Sequence, residues 1–362
     1  MRRVETKEKP GILAVDSKHR PECNERPVER GPTRVVVALL AFLFAGFFAV
    51  AGCEDSSTHE VGDPPTTLRT APNGTALNAP ARNTQFLCVP GLALVKPDRS
   101  WIEGDTIVIA KIPFVEGEVT WESEFAVTET ATTRRLKGNG LPNHPTGAFP
   151  VQQGTEAYSY YAALPAEGYD NAAEIPIAAY DLDITIPRNP QYDDVPHCMP
   201  YLVSGVVTQT GIPWHLQIAP DSDNNLLDPI AALPMDSCWG HPYQKQYHYH
   251  GYSWKCFPNQ GDPNEHSPLF GYAIDGFGVY GPRGEKGVLL TNDDLDECHG
   301  HTHAIEWDGE TKVMYHYHVN NEYPYTMGCY RGKPVELPAH LQHATMHGFL
   351  TRHQTSAAES AR

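Results

Sequence analysis

The sequence predicts an all-β chain, sandwich- or barrel-like, built on an internal duplication and stapled by disulfides. Three observations carry this. Short stretches alternate apolar and polar residues with a period of two, and 32 Pro and 30 Gly punctuate them with turns. A pattern of Asp, Cys, Gly, His and Tyr is written twice between Asp236 and Cys329. Six cysteines downstream of Cys53, which follows an apolar leader, form an even set.

The duplication organises the rest. Its first copy, 236–256, reads Asp236-Ser-Cys238-Trp-Gly240-His241, then Tyr247-His248-Tyr249-His250, then Cys256. Its second, 296–329, reads Asp296-Glu-Cys298-His-Gly300-His301, then Tyr315-His316-Tyr317-His318, then Cys329. The Asp-to-His elements are offset by 60 residues and the Tyr-His-Tyr-His runs by 68, so the second copy carries an eight-residue insertion.

Taken in order, residues 1–34 are a polar leader with no methionine between Met1 and Met199, which suggests a true start at a non-Met codon near Val28. Residues 35–52 supply the apolar core of an export signal, a single transmembrane anchor being the alternative. Val50-Ala51-Gly52-Cys53 resembles a bacterial lipobox, so Cys53 is the expected lipidation site and the membrane an expected partner through that lipid. Residues 53–85 read as a lipid-bearing flexible tether. An N-terminal β region spans 86–139, with strands expected at Thr106–Ile112 and over 119–127; another is expected at Leu182–Ile186. The domain proper covers 140–333. In the tail, 334–362, Leu337–His353 has the spacing of a short helix that would present His340, His343 and His347 as a metal face, but a solvated tail is the preferred reading.

The net charge is −17, and residues after 52 alone carry 18 basic against 38 acidic groups. Such a surface excludes nucleic acid and suits cations. Because each copy brackets its Tyr-His-Tyr-His run with two cysteines, the expected bridges are Cys238–Cys256 and Cys298–Cys329, leaving Cys88–Cys198. The first two close loops of about 18 and 31 residues, each stabilising by roughly 3 kcal/mol through the unfolded chain. Thiolate metal ligands are the rival reading of these cysteines.

Asp308-Gly309 between alternating segments signals a two-residue hairpin. Trp307 then pairs with Glu310, His303 with Met314, His301 with His316 and His299 with His318. All five histidines, His299, His301, His303, His316 and His318, are expected on one face, with Tyr315, Tyr317, Val313 and Ala304 on the other. Together with His241, His248 and His250 they make two candidate sites, one per copy, the second the tighter, a single site at the pseudo-twofold seam being the alternative. Clustered imidazoles without thiolate suit copper or zinc, with iron possible. The alternative is a polar core in which the rings bond to tyrosines and carbonyls. Neutral imidazoles bind metal, so occupancy is expected to fall below about pH 6.5. Asp236, Asp275 and Asp296, with the tyrosines, are the acid/base candidates if the chain is a metal-dependent enzyme; a disulfide-stapled surface module without metal is the third class. No Gly-x-Ser-x-Gly or His-Glu-x-x-His pattern supports a hydrolase.

These motifs, joined by Thr146–Pro150, Gly211-Ile-Pro213, Gly271–Phe277, Tyr280-Gly281 and Glu322–Tyr325, resemble the YHYH-domain proteins over about residues 140–333. The resemblance implies an exported or lipoprotein sequence. It implies no reaction and no catalytic residues.

Overall fold

The computed structural model describes residues 64–161, 175–220 and 225–342, all of them in the unit Ser57–Arg362. The apolar run, Cys53, His343 and His347 lie outside the described residues. Among those described, no helix is long and apolar enough to cross a membrane.

Ordered structure begins earlier than the tether reading allows. Strand β1 (Thr67–Arg69) pairs antiparallel with β3 (Thr106–Val108), which also pairs with β2 (Ile102–Glu103). Leu68 and Leu77 are buried, so two leucines scattered through a Thr/Pro/Asn-rich stretch suffice to dock it, although they show no period. The second half of the Thr106–Ile112 strand is instead a 3-10 turn over Ile109–Lys111.

Strands β4 (Phe125–Glu129), β5 (Thr133–Gly138) and β6 (Leu182–Pro187) form a three-stranded antiparallel sheet. β6 alternates as read, burying Leu182, Ile184 and Ile186. The alternation over 119–125 is present in burial, but only Phe125 onward is laddered.

The main sheet has eight strands: β7 (Val203–Val207), β8 (Ile212–His215), β11 (Gly240–Tyr243), β12 (Gln246–Tyr249), β13 (Leu269–Ala273), β14 (Gly278–Tyr280), β15 (Gly300–Trp307) and β16 (Glu310–His318). A small hairpin, β9 (Ala219–Pro220) with β10 (Leu226–Leu227), intervenes in the chain, and a helical turn, α2 (Pro229–Ala232), follows it. A first helix, α1 (Glu156–Tyr161), precedes β6. The spatial order is β11-β12-β8-β7-β13-β14-β16-β15, so the all-β class holds in a sheet whose two outer strands do not pair with each other.

That order is a palindrome of the duplication. Hairpin β11–β12 lies parallel to β8 as hairpin β15–β16 lies parallel to β14, and β7 meets β13 antiparallel at the centre. Val206 pairs with Tyr272, its own equivalent at an offset of 66, so a pseudo-twofold axis passes between them, perpendicular to the sheet. The repeated unit is therefore a four-stranded one, about 203–250 and 269–318. Hairpin β11–β12 has four residue pairs and β15–β16 eight, which accounts for the eight inserted residues. The seam is tight. A Cβ on Gly205 would stand 2.6 Å from the Tyr272 carbonyl oxygen, and one on Gly271 only 2.1 Å from that of Val206.

The three-stranded sheet packs across both halves, with Phe125 against Gly211 and Pro187 against Gly276, at the two equivalent β7–β8 and β13–β14 turns. Arg134, fully buried, donates to Glu129 (2.8 Å) and Asp308, and its guanidinium lies 4.8 Å and 4.6 Å from the Tyr272 and Trp307 ring centres. Bridges Cys88–Cys198, Cys238–Cys256 and Cys298–Cys329 are formed.

Candidate metal centres

Each copy begins with the same turn. Asp236 Oδ1 accepts from the amides of Cys238 (2.9 Å) and Gly240 (3.2 Å); Asp296 Oδ1 accepts from Cys298 (2.9 Å) and Gly300 (3.0 Å). The tyrosine of the opposite strand completes the knot: Tyr247 donates to Asp236 (2.8 Å) and Tyr315 to Asp296 (3.0 Å). Glycine is required beside them, since a Cβ on Gly240 or Gly300 would meet that hydroxyl at 2.2 or 2.4 Å.

These bonds settle the place of the three carboxylates proposed for acid/base work. Asp236 and Asp296 are struts of the turns, on the tyrosine side of the strands. Asp275 is a third strut, accepting from Tyr317 (2.6 Å), the Gly332 amide (2.9 Å) and the Phe277 amide (3.2 Å). Burial pushes the Asp236 carboxyl up to about 6 and raises that of Asp275, although the donors around both favour the ionised form. The structure does not bring any of the three to the histidine face.

On that face the imidazoles gather into two groups. Hairpin register places His301 opposite His316, as the two-residue turn at Asp308-Gly309 predicts, with φ values of 55° and 76° that suit that turn; in the first copy the turn at Gln244-Lys245 places His241 opposite His248. In the first group His241, His248 and His250 are all buried, with Nε2–Nε2 separations of 3.1 Å (His241 to His250) and 3.0 Å (His248 to His250). His215, at the end of β8, stacks on His248 with ring centres 3.7 Å apart. The second group is His301, His316, His318 and His266. Here Nε2 of His316 is 3.1 Å from that of His318 and 3.3 Å from that of His266.

The outer nitrogens fix the tautomers. Nδ1 of His266 faces the Ser267 carbonyl (2.8 Å), Nδ1 of His316 that of Met314 (3.1 Å), and Nδ1 of His318 that of Gly281 (2.6 Å). Each must carry its proton on Nδ1 to make that bond, which leaves a bare lone pair on Nε2. Three lone pairs therefore point at one another. His248 repeats the arrangement through Gln246 (3.1 Å). Nitrogens held tetrahedrally at about 2.0–2.1 Å from an ion would stand about 3.3 Å apart, close to the spacing found.

Burial keeps the rings neutral. It pushes His241 and His316 down to about 3 and His301 to about 4, and drives His248, His250 and His318 well below the ordinary range, with neighbouring imidazoles adding to the effect at every ring but His241.

Two sequence-based assignments need correction. His299 does not share the face: with φ at 74° its ring turns away, Nδ1 to the carbonyls of His318 (2.7 Å) and Thr326 (2.8 Å) and Nε2 to Asn292 Oδ1 (2.7 Å). His303 lies outside the convergent set, at the rim, paired with Glu285 (3.2 Å). The tyrosine face also ends early, because Val313 is 75% exposed while Ile305 and Trp307 on the histidine side are buried. The hairpin tip leans over the Arg134 layer.

His266, His215 and His144 escaped the sequence reading. His266 lies among the nine histidines between 241 and 318 but outside either copy. His144 reaches Tyr249 Oη (2.5 Å) from a distant loop and stands near Cys238 and Cys256. Those sulfurs are joined to each other, so they offer no thiolate.

Residues 183–292 match the profile of the YHYH protein family. The chain carries a YHYH domain. The matched stretch runs from β6 through the first copy to β14 and stops just before the second copy's turn. No curated protein and no solved structure matches the chain.

Proposed function

We propose that the chain is an exported lipoprotein whose YHYH domain holds transition-metal ions, one in each duplicated unit. His241, His248 and His250 serve the first, and His266, His301, His316 and His318 the second. The supporting observation is the bare Nε2 atoms of His266, His316 and His318, that of His316 standing 3.1 Å from that of His318 and 3.3 Å from that of His266, while each of the three outer Nδ1 atoms is bonded to a carbonyl. A polar core would spend those lone pairs on donors; here they face each other and call for a cation. Copper and zinc suit an all-imidazole shell best, and iron follows. The domain's reaction, if it has one, would draw on the ion and not on Asp236, Asp275 or Asp296.

Elemental analysis of the purified chain tests this, with about two ions per chain expected and none overturning it. The pH course adds a sign. Rings whose folded-state affinity for protons is depressed contribute stability fully present above about pH 6.5 and lost as pH falls towards 4 and 3. Metal should therefore be held fully above about pH 6.5 and be lost progressively as pH falls towards 4, with the midpoint below 6.5. This revises the threshold of 6.5 expected for solvated histidines; release centred at 6.5 would mean the rings are not buried as described.

The anchor rests on Val50-Ala51-Gly52-Cys53. Cys53→Ala should abolish lipid attachment and leave an unprocessed precursor. A variant processed and membrane-held as before removes the lipoprotein part of the reading.

A further inference from the structure

The two histidine groups differ in their access to solvent, and the pseudo-symmetry makes the comparison internal. All three rings of the first are buried, His215 covers His248, and the position matching His303 is Tyr243. In the second group His266 and His301 are half-buried. Beyond them stand His303 and Glu285, whose side chains are 40% and 62% exposed, with Nδ1 and Oε1 3.2 Å apart. The His303 ring centre is 4.4 Å from that of His301. Both His303 and Glu285 act electrostatically on His266 as well, and Glu285 and Asp294 act on His301. A carboxylate and an imidazole thus stand between bulk water and the buried lone pairs of His316 and His318.

We infer that His303 and Glu285 form an outer capture station for a divalent transition cation, from which the ion passes by way of His301 and His266 to the buried pair. The inference rests on the metal reading above and adds the route. Its physical basis is ordinary. A carboxylate at the mouth of a site in a strongly acidic protein raises the local concentration of cations. An imidazole beside it exchanges the ion's water for nitrogen before the costly burial step. Neither residue belongs to the convergent set, so the station governs the rate of loading and not the number of ions held.

The test is rapid mixing of the metal-free full chain with Co(II), following the visible absorbance that appears when imidazole replaces water. His303→Ala with Glu285→Gln should slow the phase belonging to the second unit about tenfold. The end-point should stay at that of the wild type, and the wild-type rate should fall as salt is added. An unchanged rate overturns the station. So does an end-point lower by one ion, which would make His303 a ligand in its own right. Failure of the wild type to take up Co(II) at all overturns the station together with the reading beneath it, and is distinguishable because the end-point is then zero for both proteins.

Discussion

Gly271→Ala is expected to cost at least about 3 kcal/mol and to lower the yield of folded chain, the larger of the stability effects the fold implies. The added methyl would stand 2.1 Å from the Val206 carbonyl oxygen and 2.8 Å from the Trp214 ring. The first obstacle is backbone of the facing strand, so no rotamer change relieves it. Since β7 and β13 meet at the pseudo-twofold axis, parting them separates the two units from each other. Gly309→Ala is the contrast. Nothing lies within 4 Å of its added methyl, and its only penalty is the positive φ of 76°. That should amount to roughly 1–2 kcal/mol. Denaturant unfolding of both variants decides the matter, and equal losses would mean that the seam is looser than described.

Much of this was legible in the residues, and the remainder was not for physical reasons. The β15–β16 register follows from Asp308-Gly309, because a two-residue turn and a period of two leave no freedom. The bridges follow from the repeat, which assigns one local pair to each copy. His299 misled because strand alternation was carried one residue too far, into a turn with φ at 74°. The duplication itself held the warning: the matching residue is Trp239, φ 61°, which is no ligand. The parallel docking of β12 on β8 and β16 on β14 is set by partners 35 and 38 residues apart, as in Trp214 with Tyr249 and Val279 with Tyr317, and leaves no local pattern. His266 is a loop residue brought in by that docking. Leu68 and Leu77 are single apolar residues whose burial only the assembled core reveals.

The same docking explains why the motif alternates tyrosine and histidine. One face of each strand is spent on structure: Tyr247 and Tyr315 close the aspartate turns, Tyr317 donates to Asp275, and Tyr249 meets His144. The other face is left free for imidazoles. Removing the histidines should therefore leave the scaffold standing.

That separation makes His316→Ala with His318→Ala the most direct test of the account. The double variant deletes the two most buried rings of the second unit while keeping Tyr315, Tyr317 and the Cys298–Cys329 bridge. Its metal content should fall by about one ion per chain, with β-sheet circular dichroism unchanged and the first unit still loaded. A folded double variant that retains the full metal content of the wild type would contradict the assignment of the second centre to these histidines.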